Sequence, residues 1–242
     1  MVKNRERILT LCQKSIIKEL LTQCQYTKMR NEGEYGMPKG SPERTTARRE
    51  EIIQACEQLY QTMSFKEITL KEIGNVTSFS RPSIYNYFQT KEEIFLAILK
   101  KEYELWIADL EAMMEENETL ERDAFAEKIA KSLARREQLL KILSMNMYDM
   151  EANSRLESLV EFKTVYGRSL QTFATVLGKF FPEMTVEERQ DFVYRFFPFI
   201  YGIYPYTVVT EKQKEAMKLA GVNYIYMSIY EITFNCLRKL LP

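Results

Sequence analysis

The sequence predicts an all-α protein with an N-terminal helix-turn-helix domain of three helices, joined through a long fourth helix to a larger helical body. Three observations support this prediction. Helix-start signals crowd into the stretch from Thr69 to Phe95, apolar residues recur at helical spacing through the rest of the chain, and no strand pattern competes with them. We divide the 242 residues into a leader (1–40), the helix-turn-helix domain (41–100) and the body (101–242).

The leader carries apolar residues from Ile8 to Leu21 at spacings that suit one amphipathic helix. It ends in the polar stretch Lys28 to Gly40, which offers no clear docking face, so a frayed arm is one interpretation. The other is that Met37 is the natural start, because Glu32-Gly33-Glu34 can be encoded by a purine-rich ribosome-binding signal. The sequence leaves both open.

The first helix of the domain is predicted to begin near Ser41-Pro42 or Thr46 and to end near Met63. Its apolar residues recur every three or four positions, which gives the helix one face for the domain core. These residues are Ile52, Ile53, Cys56, Leu59 and Tyr60.

Three further helix starts follow within a short span. Thr69 with Glu72 and Thr90 with Glu93 each have the S/T-x-x-E spacing of a capping box. Between them, Ser80 is suited to cap a short helix whose second position is Pro82, where a missing N–H costs little. The first and second of these three helices are joined by residues 77–79 alone, so we expect them to cross steeply.

Apolar spacing also separates two faces of the short helix after Ser80. Ile84 and Phe88 line its core face, opposite Leu70, Ile73 and Val76 of the preceding helix. Its other face carries small or planar groups that can approach base edges or donate to phosphates. They are Arg81, Ser83, Tyr85, Asn86 and Tyr87. The pattern is typical of a recognition helix.

This stretch resembles the DNA-binding domain of the tetracycline-repressor (TetR) family of bacterial transcription regulators, over about Arg48 to Trp106. The matching features are Phe65 in the bend, Thr69, Ile73, Phe79, Ser80, Ser83, Ile84, Tyr85, Tyr87, Phe88 and Lys91. Two positions depart from the family pattern. Ser78 stands where the family usually turns on Gly, and Gly74 stands where it usually has Ala.

The resemblance and the spacing together predict a set of DNA-binding residues. The set is Arg48, Thr69, Lys71, Ser80, Arg81, Pro82, Ser83, Tyr85, Asn86, Tyr87 and Lys91. Each motif alone also suits an ordinary helical bundle, in which the Thr-x-x-Glu pairs cap helices and the aromatic residues are core. Arg48 and Arg49 similarly suit either a phosphate clamp or a solvated face balanced by Glu50 and Glu51.

Composition limits the other function classes. Thirty-four basic and thirty-four acidic residues cancel, so positive charge for DNA has to be arranged locally. The chain has no histidine, four scattered cysteines and no Gly-rich phosphate loop, which argues against an enzyme, a metal site or a cofactor. No apolar run is long enough for a membrane span and no signal peptide is evident, so we predict a cytoplasmic protein with reduced thiols.

The fourth helix is predicted to begin at Lys91 and to continue to Met114, followed by helices near 119–133, 135–150, 154–180, 185–208, 211–220 and 222–241. Pro198 and Pro205 should kink or break the helix that contains them. The family resemblance implies a pocket between body helices for an unidentified small apolar or aromatic effector. Its predicted lining is Trp106, Met113, Met145, Tyr148, Phe162, Tyr166, Phe173 and Tyr201; at helical spacing these residues also suit a plain core.

The last predicted helix has too many apolar positions for a stripe against one neighbour, so a second surface needs covering. The resemblance implies a homodimer through about 187–205 and 222–240, bound to a palindromic operator in double-stranded DNA. The implied function is a ligand-responsive regulator, most simply a repressor. Two alternatives stay open: a TetR-like activator or protein-partnered regulator without small-molecule control, and a helical enzyme or adaptor that shares only local sequence.

Overall fold

The computed structural model describes residues 41–242, and every regular element in that range is helical. Residues 46–242 form one compact unit, and residues 41–45 are the described part of the other unit, residues 1–45. Both interpretations of the leader therefore lie outside the described residues. The helices are α1 (Pro42–Tyr60), α2 (Leu70–Asn75), α3 (Arg81–Ile84), α4 (Lys91–Glu116), α5 (Arg122–Ala134), α6 (Glu137–Leu143), α7 (Met147–Ala152), α8 (Leu156–Phe180), α9 (Val186–Gly202), α10 (Tyr204–Thr207), α11 (Glu211–Leu219) and α12 (Ile229–Leu240).

The predicted helix starts of the helix-turn-helix domain are confirmed. The hydroxyl oxygens of Thr69 and Thr90 accept hydrogen bonds from the backbone N–H groups of Glu72 (3.4 Å) and Glu93 (3.3 Å). Ser80 stands at the N-cap of α3, but its side chain makes no capping bond, so that detail of the prediction was wrong. Its hydroxyl lies 3.3 Å from the hydroxyl of Ser83 instead.

Helix α4 is a single helix of 26 residues, as the sequence predicted, and it runs from the helix-turn-helix domain into the body. Ile94, Phe95 and Ile98 of its first half are buried against the domain, and Tyr103 and Trp106 of its second half are buried in the body. Helix α8 packs along it. Helix α4 therefore contributes along its length to one continuous apolar core shared by the domain and the body.

Two predicted body helices are broken in the structure. The helix expected over 135–150 is split into α6 and α7, because the Asn146 side chain accepts the backbone N–H of Asp149 (3.4 Å) and starts a new helix. The helix expected over 185–208 ends at Gly202, and α10 follows with Pro205 in its first turn. Pro198 remains inside α9, so the predicted break occurs at the second proline only.

The last helix begins at Ile229 rather than at the predicted Val222. Ser228 and Glu231 form a reciprocal capping box that fixes this start. Residues 222–228 are not helical, and α12 packs instead against α5, where Arg238 Nε donates to the Asp123 carboxylate at 2.9 Å. The S-x-x-E signal was present in the sequence but was overlooked within the apolar run.

Candidate nucleic-acid interface and ligand site

Residues 80–87, which we call the reading segment, carry the predicted DNA-facing side chains, of which the structure describes all except that of Arg81. Ser80, Pro82, Tyr85 and Asn86 are exposed, and Ser83 is half-buried. On the opposite side Ile84 is fully buried, as is Phe88 just beyond the segment. The segment is therefore attached to the domain by an apolar face while its polar face stays accessible.

Tyr87 and Lys91, two of the predicted DNA-binding residues, have internal roles in this structure. Tyr87 is 6% exposed and lies 6.3 Å from the Phe79 ring, measured between ring centroids. Lys91 Nζ donates to the backbone carbonyls of Phe65 (2.5 Å) and Ile68 (3.0 Å). It thereby satisfies carbonyls of the bend before α2. Contact of Tyr87 and Lys91 with DNA stays a prediction.

The turn before the reading segment is held by a residue that the sequence did not single out. The Glu51 carboxylate, from α1, accepts hydrogen bonds from both the backbone N–H and the hydroxyl (3.0 Å) of Ser78. The Thr77 hydroxyl donates to the carbonyl of Phe79 at 3.1 Å. Ser78, the residue that replaces the family's usual glycine, thus contributes a hydroxyl contact that glycine lacks.

Basic residues of α1 lie over aromatic rings beside the reading segment. The Arg48 guanidinium is 5.8 Å from the centroid of Phe79, and that of Arg49 is 4.7 Å from the centroid of Phe88. Arg49 also lies 3.5 Å from the carboxylate of Glu161 in the body, whereas Arg48 and Lys71 are exposed. Phosphate contacts by Arg48 and Lys71 stay predictions, as do those of Thr69 and the exposed residues of the reading segment.

A loop of the body, Asn153–Arg155, contacts the helix-turn-helix domain directly; we call it the junction loop. Arg155 donates from Nε and Nη2 to the Glu93 carboxylate (2.6 and 2.9 Å), and from Nη2 to the carbonyl of Tyr87 (3.3 Å). The Thr90 hydroxyl donates to the carbonyl of Asn153 at 3.0 Å. Arg155 immediately precedes α8, so the start of a body helix is bonded to the end of the reading segment.

The Glu93 carboxylate is buried, and its charge depends on these bonds. Burial raises the pKa of Glu93, but hydrogen bonds from Arg155 and from the backbone N–H of Gln89 (2.8 Å) outweigh burial and hold the pKa below its ordinary value. The carboxylate therefore remains ionised, and it depends on Arg155 for compensation.

Part of the predicted ligand-binding set meets in one aromatic cluster of the body. Trp106 and Phe173 are fully buried with ring centroids 5.8 Å apart, and Phe162 and Tyr166 lie 6.1 Å apart beside them. Phe197 of α9 contacts Trp106, Tyr166 and Phe173. The structure brings α4, α8 and α9 together at these rings.

Other members of that set lie elsewhere. Tyr148 is 89% exposed on α7, and Met145 accepts a hydrogen bond at sulfur from the Tyr60 hydroxyl (3.4 Å) near α1. Met113 borders a surface hollow of about 470 Å³ along α4 and α5. A second hollow, of about 370 Å³, lies between α9 and the end of the chain. Neither hollow includes the aromatic cluster.

Sequence reasoning missed Tyr103, which the structure places beside the cluster. Its ring is fully buried, 5.6 Å from that of Tyr166 and 6.2 Å from that of Phe162. Tyr201, which the sequence did predict as a ligand-binding residue, interacts with the hydroxyls of both Tyr103 and Tyr166. Tyr103 lies three positions before Trp106 in α4, so helical spacing could have identified it.

The two predicted dimer segments differ in exposure. On α9, Tyr194 is 63% exposed, while Phe196 and Phe197 face the core. On α12, Thr233 and Leu237 are fully buried against the rest of the chain. Before α12, Ile225 is 78% exposed. The homodimer interface itself stays a prediction.

Searches of the described residues for two other kinds of feature gave no candidate. Within residues 41–242, no helix combines the length and apolar character that crossing a membrane requires. Over the same range, acidic and cysteine side chains do not gather in groups of three or more that could hold a metal ion.

Two family models match this chain. The model described as "Bacterial regulatory proteins, tetR family" matches residues 52–98, and the one described as "Tetracyclin repressor-like, C-terminal domain" matches residues 100–231. The HTH-type transcriptional regulator YfiR of Bacillus subtilis (strain 168) is 32% identical over 63 residues, 26% of this chain and 31% of the relative. The regulator RutR of Escherichia coli (strain K12) is 25% identical over 71 residues, which are 29% of this chain and 34% of the relative. The matched region thus spans about a third of each relative.

Two solved structures share the fold over most of this chain. A transcriptional regulator of the TetR/AcrR family from Thermobifida fusca superposes with a TM-score of 0.56 at 16% identity, covering 81% of this chain and 97% of that one. The fatty acid degradation regulator FadR from Bacillus halodurans superposes with a TM-score of 0.50 at 16% identity, covering 84% and 96%. The predicted all-α fold, a helix-turn-helix domain followed by a helical body, is confirmed.

Proposed function

Because this chain belongs to the tetracycline-repressor family of bacterial transcription regulators, we propose that it represses transcription and is released by a small effector. It binds a palindromic operator as a homodimer, and the effector is largely apolar or aromatic. The observation that carries the proposal is the pair of bonds from Arg155 to Glu93 and to the Tyr87 carbonyl. These bonds connect the N-terminus of α8 directly to the reading segment.

Two copies related by a two-fold axis would present two reading segments to successive major grooves, with half-sites about one helical turn apart. The interface runs through about 187–205 and 222–240. Its support is the exposed apolar surface of α9 and of the segment before α12, including Tyr194 and Ile225. Tyr85 and Asn86 would reach base edges, while Arg48 and Lys71 would contact phosphates.

The proposed release of DNA by the effector depends on the position of Arg155 at the N-terminus of α8. An effector held among rings of α8, such as Phe162 and Tyr166, favours a body conformation in which this helix shifts. Arg155 then leaves Glu93 and the Tyr87 carbonyl, and the two reading segments no longer match the groove spacing. A typical coupling of about 1–3 kcal/mol changes operator affinity roughly five- to 150-fold.

The test is selection of bound DNA. Purified protein is mixed with fragmented genomic DNA from its source, and the retained fragments are sequenced. We expect an inverted repeat whose half-sites lie about ten base pairs apart, and we expect Tyr85→Ala protein to lose it while remaining a dimer in solution. Retention of fragments without any common repeat, or loss of the dimer together with binding, would contradict the assignment.

A regulator that answers to a protein partner, as activator or repressor, is the second candidate. The surface before α12 favours it, because Leu219 and Ile225 are 79% and 78% exposed and Tyr226 is partly exposed beside them. Operator binding that no small molecule alters, together with its loss on addition of a cell fraction, distinguishes this candidate from the first.

A further inference from the structure

The body contains a buried hydroxyl, that of Tyr103, whose polar neighbour Tyr201 does not reach it with normal hydrogen-bond geometry. Tyr103 is fully buried, and its hydroxyl makes no hydrogen bond of normal geometry among the described residues. A buried hydroxyl without a partner destabilises a fold, and most buried polar atoms in native proteins are paired. The Tyr103 O–H is therefore available to donate to an acceptor that approaches with better geometry.

Two more tyrosine hydroxyls lie close to it. The hydroxyl of Tyr201 approaches those of Tyr103 and Tyr166, which come from α4 and α8, so three helices supply one group each; we call these residues the tyrosine cluster. Burial holds the pKa of all three above the ordinary value, and a neighbouring hydroxyl raises it further in two of them: that of Tyr201 for Tyr103, and that of Tyr166 for Tyr201. All three are uncharged near neutral pH, so they offer O–H donors rather than phenolates.

The surroundings of the cluster are apolar on one side. The rings of Phe162 and Trp106 lie 6.2 and 6.4 Å from that of Tyr103. The acidic group that influences the pKa of Tyr166 and Tyr201 is Glu151, whose carboxylate is bonded to Lys163 Nζ at 2.6 Å. Lys163 Nζ lies 5.4 and 5.6 Å from the ring centroids of Phe162 and Tyr166, but its charge is already compensated by Glu151.

We propose that Tyr103, Tyr166 and Tyr201 bind an acceptor oxygen of an uncharged, mainly apolar effector, such as a ketone, an ester or an amide. The proposal rests on the proposed function, because it assigns the polar end of the same effector site. The effector's oxygen accepts the Tyr103 O–H, and its apolar part packs against the rings of Phe162 and Trp106. A carboxylate is disfavoured because it would lie near the negative charge of Glu151 and would have to compete with Glu151 for Lys163.

Trp106 is the single tryptophan of the chain, so its fluorescence reports binding at the cluster without any DNA. The probes are 2-decanone and methyl nonanoate as uncharged acceptors, decane as the matched hydrocarbon, and decanoate as the matched anion. We expect both acceptors to change the emission of the wild-type protein and to bind it more tightly than decane or decanoate. Tyr103→Phe should weaken binding of the two acceptors about threefold to tenfold and leave that of decane unchanged.

Two further variants keep the test decisive. Tyr201→Phe removes a second hydroxyl of the cluster and replaces Tyr103→Phe if that variant does not fold. Tyr206→Phe, at a tyrosine that is 57% exposed, is the matched control and should behave as wild type. Without probe, Tyr103→Phe should melt at a higher temperature than wild type, since it removes an unpaired buried hydroxyl.

The proposal is overturned if wild-type protein binds neither acceptor, if decanoate binds more tightly than 2-decanone, or if the cluster variants bind the acceptors as well as wild type does. Operator binding is measured separately on the same samples. If the acceptors bind at the cluster but leave operator affinity unchanged, the tyrosine site stands and the proposed effector control fails.

Discussion

The helix-turn-helix domain and the body hold their aromatic side chains in different ways. In the domain, Phe79 and Phe88 each lie beneath one guanidinium group, and single polar contacts such as Glu51 to Ser78 fix the turn. In the body, the single ring of Phe173 contacts four other rings, those of Trp106, Phe192, Phe196 and Phe197. Loss of one polar contact should therefore release the turn before the reading segment, whereas loss of one ring contact leaves Phe173 with several others.

The largest effect is expected at the junction loop, where the ion pair of Arg155 with Glu93 joins the body to the helix-turn-helix domain. Arg155→Ala leaves the Glu93 carboxylate buried without its cation, which we expect to destabilise the protein by about 3 kcal/mol in urea unfolding. Arg168→Ala, at an exposed arginine of the same helix, is the control and should change stability by less than about 0.5 kcal/mol. Equally small effects of both variants would show that the ion pair of Arg155 with Glu93 does not stabilise the protein.

Acid provides a second measurement of the same contact. The pKa of Glu93 is lower in the folded chain than its ordinary value of 4.5, so its contribution to stability is complete above that value and is lost as pH falls through the folded pKa. Glu93→Gln protein should therefore lose less stability than wild type as the pH is lowered below about 4.5. Parallel pH profiles for the two proteins would show that the carboxylate adds nothing.

The reading segment should lose function without losing stability. Tyr85 is 45% exposed, and a lost base contact is worth about 1–3 kcal/mol, so Tyr85→Ala should weaken operator binding roughly tenfold to a hundredfold. Its unfolding midpoint should stay near that of wild type. Fluorescence anisotropy with labelled operator measures the affinity. If stability falls as much as affinity does, Tyr85 acts in packing the domain rather than in binding DNA.

Glu51 tests whether the geometry of the turn alone affects DNA binding, since in our proposal it contacts Ser78 and not DNA. Glu51→Ala removes both hydrogen bonds to Ser78, and we expect operator affinity to fall about fivefold to tenfold, a net loss of about 1 kcal/mol. Gln58→Ala changes an exposed residue of the same helix and serves as control. Rescue by Ser78→Gly in the Glu51→Ala background would show that the bonds serve only to hold the turn.

Sequence reasoning worked where the determinants are local. Thr69 and Thr90 start helices through contacts three residues away, and the 26-residue α4 follows from uninterrupted apolar spacing. Distant determinants could not be predicted, since nothing near Glu93 in the sequence indicates its bond to Arg155. Two local signals were overlooked within longer apolar runs: Asn146, which starts a new helix just before the exposed Tyr148, and the capping box of Ser228 and Glu231.

The smallest effect we predict concerns backbone freedom in the body, at two glycines with opposite requirements. Gly167, inside α8, has open space where a Cβ would project, so Gly167→Ala should raise stability by about 0.5–1 kcal/mol through better helix propensity. Gly221 has φ of +69°, a conformation in which a side chain is strained, so Gly221→Ala should lower stability by about 1 kcal/mol. Urea unfolding of both variants measures the difference. If Gly167→Ala destabilised the protein as much as Gly221→Ala, the open side of α8 would be covered in solution, most simply by a second copy of the chain.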